Sequence, residues 1–236
     1  LLSGIQKGFG VRVKIISTKQ LFITLIPSTL VLLGAMATSI FFQVSMPSMT
    51  RDVTAIANIH PLSGVLSNLG MVLWCVSAAV CGFAAIILRG FKPIGTFWFL
   101  LCSSLLSAYL LVDDLFLIHE VLSPCYLGLC EEFVFSALGI VLIGYIIVFR
   151  RIIMQTHFGA LFLSLGFLAA SAVIDVIVEL LFGHIGQWMF FFEDGAKWLG
   201  IAFWCSYFLH TSYHLLVNTL GINRNAVQAE APSSSG

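Results

Sequence analysis

The chain has 236 residues, 59% of them hydrophobic and 9% charged, with a mean hydropathy of +1.04. A soluble domain carries about 25% charged residues, so this composition excludes an ordinary soluble fold and indicates an integral membrane protein. Net charge is zero, which removes nucleic acid as a partner, since that needs a basic face; the partner that composition implies is the lipid bilayer.

Residues 1–20 carry Lys7, Arg12, Lys14 and Lys19 and read as a basic cytoplasmic segment. The apolar run that follows is too long for a signal-peptide core and lacks a clean small-residue cleavage site, so it reads as a first membrane helix. With about 20 apolar residues per crossing, six spans are expected, at roughly 21–43, 64–88, 94–122, 133–149, 158–182 and 187–217. The first loop, about 44–63, contains Pro47 and Pro61. The third and sixth spans exceed what the hydrocarbon requires and are expected to tilt or project. The tail 221–236 is polar, small and Pro/Ser-bearing, and reads as disordered. The fold class is therefore all-α: a polytopic bundle of six transmembrane helices over 21–220, between a basic segment and a tail.

Charge sets the orientation. Lys7, Arg12, Lys14, Lys19, Arg89, Lys92, Arg150, Arg151 and Arg224 fall on one side of this arrangement, and only Arg51 and Lys197 on or near the other. The positive-inside rule then places both termini in the cytoplasm of a multi-pass cell-membrane protein. Every acid except Glu230 falls in the outer loops or the outer half of a span. The cysteines show no CxxC, and those in apolar runs read as small buried hydrophobes. Cys125 and Cys130 share a short loop and are a candidate disulfide if that loop faces an oxidising compartment.

Ionisable residues inside apolar helices are costly and presumptively functional. Three stretches carry them: Asp113, Asp114 and Glu120; Asp175 and Glu179; Glu193, Asp194 and Lys197. Counting 1.5 Å per residue puts Asp113 about 13 Å, Asp175 about 10 Å, Glu193 about 9 Å and Lys197 about 15 Å below the outer face. Three helices thus bring charge to a similar level. Asp113 and Glu120, Asp175 and Glu179, and Glu193 and Lys197 share helix faces, the last in the better order for an ion pair. Asp113, Asp175, Glu193 and Lys197 are the expected ion or proton site, with Asp114, Glu120, Glu179 and Asp194 as its vestibule. The alternative for the first four is an ion-pair network that fixes helix packing. Glu131 and Glu132 read as a solvated helix start.

Carboxylates with few histidines suit protons or a hard divalent cation better than zinc. His119, His60 and His184 lie near the outer face, His119 being the one that a mixed metal site there would use. Near the inner end, His210 and His214 form HxxxH in FLHTSYHLLV, the helical spacing that lets two imidazoles share a metal. His157 starts the fifth span on the same side and is expected at the level of His214.

HTSYHLLV resembles the HxxxH segment in the last helix of the CREST membrane hydrolases, and VDDLFLI is similar to the Asp-bearing helix of the ceramidases among them. That resemblance implies three zinc-binding histidines, with an Asp and a Ser nearby, acting on lipid amides. It is confined to about fifteen residues in two pieces. The upstream Ser-x-x-x-His is replaced by Trp98 and Cys102, and the family has seven spans. Asp113 and His119 also fall at the outer end and His210 and His214 at the inner, so one zinc cannot join them. Desaturase histidine boxes, the EExxxR protease signature, Walker A, GxGxxG and a rhodopsin lysine are not met. The expected function is cation- or proton-coupled transport. A metal-dependent hydrolase or lipid-modifying enzyme is the alternative, and a non-catalytic subunit pairing its charges with a partner membrane protein is the third reading.

Overall fold

The structure is a computed structural model and describes residues 18–45, 48, 53–91, 93–118, 128, 131–181 and 188–230. Among the described residues there is no strand. The helices are α1 (Thr18–Phe42), α2 (Val53–Ala57), α3 (Val65–Leu88), α4 (Ile94–Phe116), α5 (Glu131–Ile153), α6 (Gly159–Leu181) and α7 (Trp188–Glu230). Each expected span overlaps one of the long helices. Four of these are long and apolar enough to cross a membrane, within Leu25–Phe42, Val65–Leu88, Ile94–Phe116 and Ser136–Ile153, and Gly159–Asp175 is a shorter apolar stretch.

Residues 1–63 and 64–236 form two compact units. In the first, α1 carries Pro27 and exposes Leu30, Val31, Ile40 and Phe41; proline there removes one hydrogen bond of the ladder. The short α2 sits in the first loop. Beyond it, His60 Nδ1 accepts a hydrogen bond from the Leu62 amide at 3.2 Å.

In the second unit α7 is central: it packs against α6 and α3, α3 packs against α4, and α5 joins chiefly through α4. Small residues permit the close approaches, as expected where lipid supplies no hydrophobic drive between helices. A Cβ on Gly82 would lie 2.9 Å from Ser104 Oγ, the hydroxyl that donates to the Ala78 carbonyl at 2.8 Å. A Cβ on Gly200 would meet Leu168 Cγ at 2.7 Å and its backbone nitrogen at 3.0 Å. The core between these seams is aromatic. Trp74 and Trp204 meet edge to face at 5.5 Å, Trp204 contacts Phe208, and Phe208 lies near Phe99. Trp204 satisfies its indole N–H on Ser107 Oγ at 2.9 Å. Helix α5 is held by Tyr145, which stacks on Phe99. Ser103 Oγ donates to the Phe99 carbonyl at 2.6 Å, so the Tyr145 hydroxyl donates to Ser103, also at 2.6 Å. Toward the other end of α5, an apolar crevice of about 790 Å³ opens beside α4, lined by Leu105, Tyr109, Phe133 and Val141 among others.

Two expectations are corrected. Helix α4 ends at Phe116, not near 122, because Leu117 turns into the left-handed region (φ 49, ψ 48) with its N–H bonded to the Asp113 carbonyl. Asp113 is therefore three residues, about 4.5 Å, from its helix end. The polar tail is helical as far as Glu230. INRNAVQAEA contains no proline or glycine, and the first stop is Pro232, which disfavours helix in the residue before it. The candidate pair Cys125 and Cys130, together with Glu120, His119 and His184, lies outside the described residues.

Candidate functional site

Two groups of polar side chains stand at different levels of the second unit, and α7 contributes to both. The upper group joins three helices. Asp114 near the end of α4 accepts two bonds: Lys197 Nζ of α7 lies 2.9 Å from Oδ1, and Trp74 Nε1 of α3 donates to Oδ2 at 2.8 Å. Both carboxylate oxygens are thus engaged. Asp114 is 12% exposed and Lys197 37%, so the pair sits at the margin of the packed core, with the lysine reaching along apolar surface. Asp113 is buried at 5% exposure, about 100° around the helix from its neighbour.

The remaining expected residues divide as follows. Glu193 is half-buried, Asp194 exposed and Asp175, on α6, half-buried. The side chain of Glu179 lies outside the described residues. The structure therefore brings Lys197 to Asp114, a residue expected in the vestibule. Helical phase relates residues within one helix, as it does Glu193 and Lys197, and so does not announce a partner on another helix.

The lower group is built around the turn that joins α5 to α6. The Thr156 hydroxyl donates to the Ile153 carbonyl at 2.7 Å. Its single proton is thereby used, so the 2.9 Å contact with Tyr207 has the phenol donating to Thr156. Tyr207 is buried on α7 and so ties this turn to that helix. The next residue is His157. Its ring centroid lies 5.2 Å from His210 and 6.1 Å from His214, which are 4.3 Å from each other. One ring nitrogen from each of the three imidazoles falls within 4.8 Å of the other two. They line a cavity of about 100 Å³ with Gln155, Thr156 and Asn218. The inner HxxxH pair thus gains its third histidine from His157, the one that the sequence places on the same side.

Lys197 and His210 are thirteen residues apart on one helix, about 20 Å. Trp204, Tyr207 and Phe208 fill the interval, each buried. The two groups are separate, with a layer of buried aromatic side chains between them.

A family model described as a domain of unknown function (DUF8692) matches residues 23–211. The match spans Trp74, Asp114, Lys197, His157 and His210, and His214 lies three residues beyond it. No curated protein and no solved structure matches the chain.

Proposed function

The chain belongs to the DUF8692 family, which carries no activity to transfer, and from its own residues we propose that it is a six-span membrane protein performing cation- or proton-coupled transport through an outward-facing acidic site. The observation that carries the reading is the Lys197–Asp114 pair beside Trp74, drawn from three helices of an apolar protein. An isolated charge is expensive there, and an ionisable group kept in such a place is by default functional. Asp113 stands next to it and is more deeply buried. A cation or proton arriving at Asp114 competes with Lys197 for the carboxylate, so occupancy and the ion pair exclude each other. That competition gives two states with different helix contacts. Asp113, Asp175 and Glu193 are the further ligands in this reading, and exposed Asp194 belongs to the vestibule.

The aromatic layer below the pair argues for a carrier over a channel, since an open pore would leave Trp204 and Phe208 facing water. The six-span topology, with both termini cytoplasmic, rests on the charge asymmetry of the loops.

The test is flux in proteoliposomes, followed with a pH-sensitive dye and with tracer cations. Asp114→Asn retains an oxygen acceptor for Trp74 and removes the charge. It is expected to abolish a flux that the unaltered protein supports. Flux no greater than in protein-free vesicles, or full flux in Asp114→Asn, overturns the proposal. Loss of a co-purifying membrane protein in Asp114→Asn, without any flux to lose, would move the role to that of a complex subunit.

A further inference from the structure

We propose that His157, His210 and His214 form a binding site for one divalent transition metal, zinc being the best chemical match, with a fourth coordination position open to the adjoining cavity. The inference goes beyond the acidic site and does not depend on it.

The donor set comes first. Three neutral imidazoles suit zinc, copper, nickel or iron, whereas magnesium and calcium take oxygen ligands. Three protein ligands with one position left for water or substrate is the pattern of exchangeable and catalytic zinc, while structural zinc closes all four. Geometry comes second. Zinc–nitrogen bonds of 2.0–2.1 Å in a tetrahedron place ligand nitrogens about 3.3 Å apart. The three donor atoms already lie within 4.8 Å of one another, so closure needs about 1.5 Å at most. All three histidines are exposed, and rotation about their side-chain bonds supplies that movement without disturbing the core.

The third argument is how the ligands are held. His210 and His214 are one turn apart on α7, so their spacing is set by the helix. His157 is remote in sequence, and its place is fixed by the hydrogen bond from Tyr207 to the adjacent Thr156. A half-buried hydroxyl pair that anchors the residue before a ligand is the support a metal site needs, because loosely held ligands lose affinity. Gln155, Thr156 and Asn218 line the same cavity and offer oxygen atoms for the free ring N–H groups or for a bound water.

The experiment uses the full chain in detergent, purified on a tag without histidine, stripped with chelator and reloaded with Zn²⁺ or Co²⁺ alone. About one zinc per chain is expected after dialysis, and Co²⁺ should give the intense visible bands of a tetrahedral ion. Single changes His157→Ala, His210→Ala and His214→Ala should each weaken binding at least tenfold, since even outer-shell changes cost roughly 10–100-fold. His60→Ala and Asp114→Asn should bind as the unaltered chain does. His214→Cys keeps a ligand and should add a thiolate-to-cobalt charge-transfer band, which no folding defect produces. Zinc content in the unaltered chain no higher than in His157→Ala, equal loss in His60→Ala, or a His214→Cys spectrum without the thiolate band overturns the site.

Discussion

At the scale of single residues, the placing of His157 depends on one hydroxyl. Tyr207 touches no ligand of the proposed metal, yet its phenol donates to Thr156, and Thr156 is already committed to the Ile153 carbonyl. Tyr207→Phe keeps the ring in its packing with Phe208 and removes the bond between the turn and α7. The expected result is a folded protein whose zinc affinity falls roughly tenfold, at the low end for outer-shell partners of a metal ligand. Competition with a chromophoric chelator measures it. Affinity unchanged in Tyr207→Phe would mean that the turn holds His157 unaided. This tether could not be read from the sequence. HxxxH and a histidine at the same level were visible as spacing, but a Thr–Tyr bond across 51 positions has no periodic signature. The same holds for Asp114: its two partners come from α3 and α7, and helical phase predicts only neighbours on its own helix.

Among the elements, four of the long helices were legible because each is an apolar run of membrane length, bounded by polar or helix-breaking residues. Their ends were less so. Nothing in LFLIHE announces that Leu117 turns left-handed; a glycine there would have, since it takes that conformation without penalty. The attachment of α5 was not legible either. It packs chiefly on α4, beside an apolar crevice, and Tyr145 supplies a buried polar link to Ser103. Tyr145→Phe leaves Ser103 bonded to the Phe99 carbonyl, so no orphaned donor results and the cost should be about 1 kcal/mol, the net worth of one hydrogen bond. Because the loss is confined to the α4–α5 seam, amide exchange should quicken in α5 and stay unchanged in α7. Equal acceleration in both helices would show that α5 and α7 open together, against the looser attachment seen here.

For the whole molecule, the two sites acquire meaning from the sides of the membrane they face. Arg150 and Arg151 are exposed in the last turn of α5, six and seven residues before His157. Basic residues flanking a span mark its cytoplasmic end, so the histidine site is expected to face the cytoplasm and the Lys197–Asp114 pair to face outward. The prediction can be checked with two single cysteines in a background whose six native cysteines are all replaced by serine. Asn58→Cys, in the first loop, which the charge asymmetry predicts to be outer, should react with a membrane-impermeant maleimide on intact cells. Gln155→Cys, beside the histidines, should react only after permeabilisation. Both positions are exposed in the structure, so failure to label would reflect the side of the membrane and not burial. Labelling of both from one side would remove a crossing between them and with it the six-span arrangement. The predicted pattern would put a metal site supplied from the cytoplasm and an ion pair accessible from outside on the same helix, about 20 Å apart, with any communication between them carried by α7 itself.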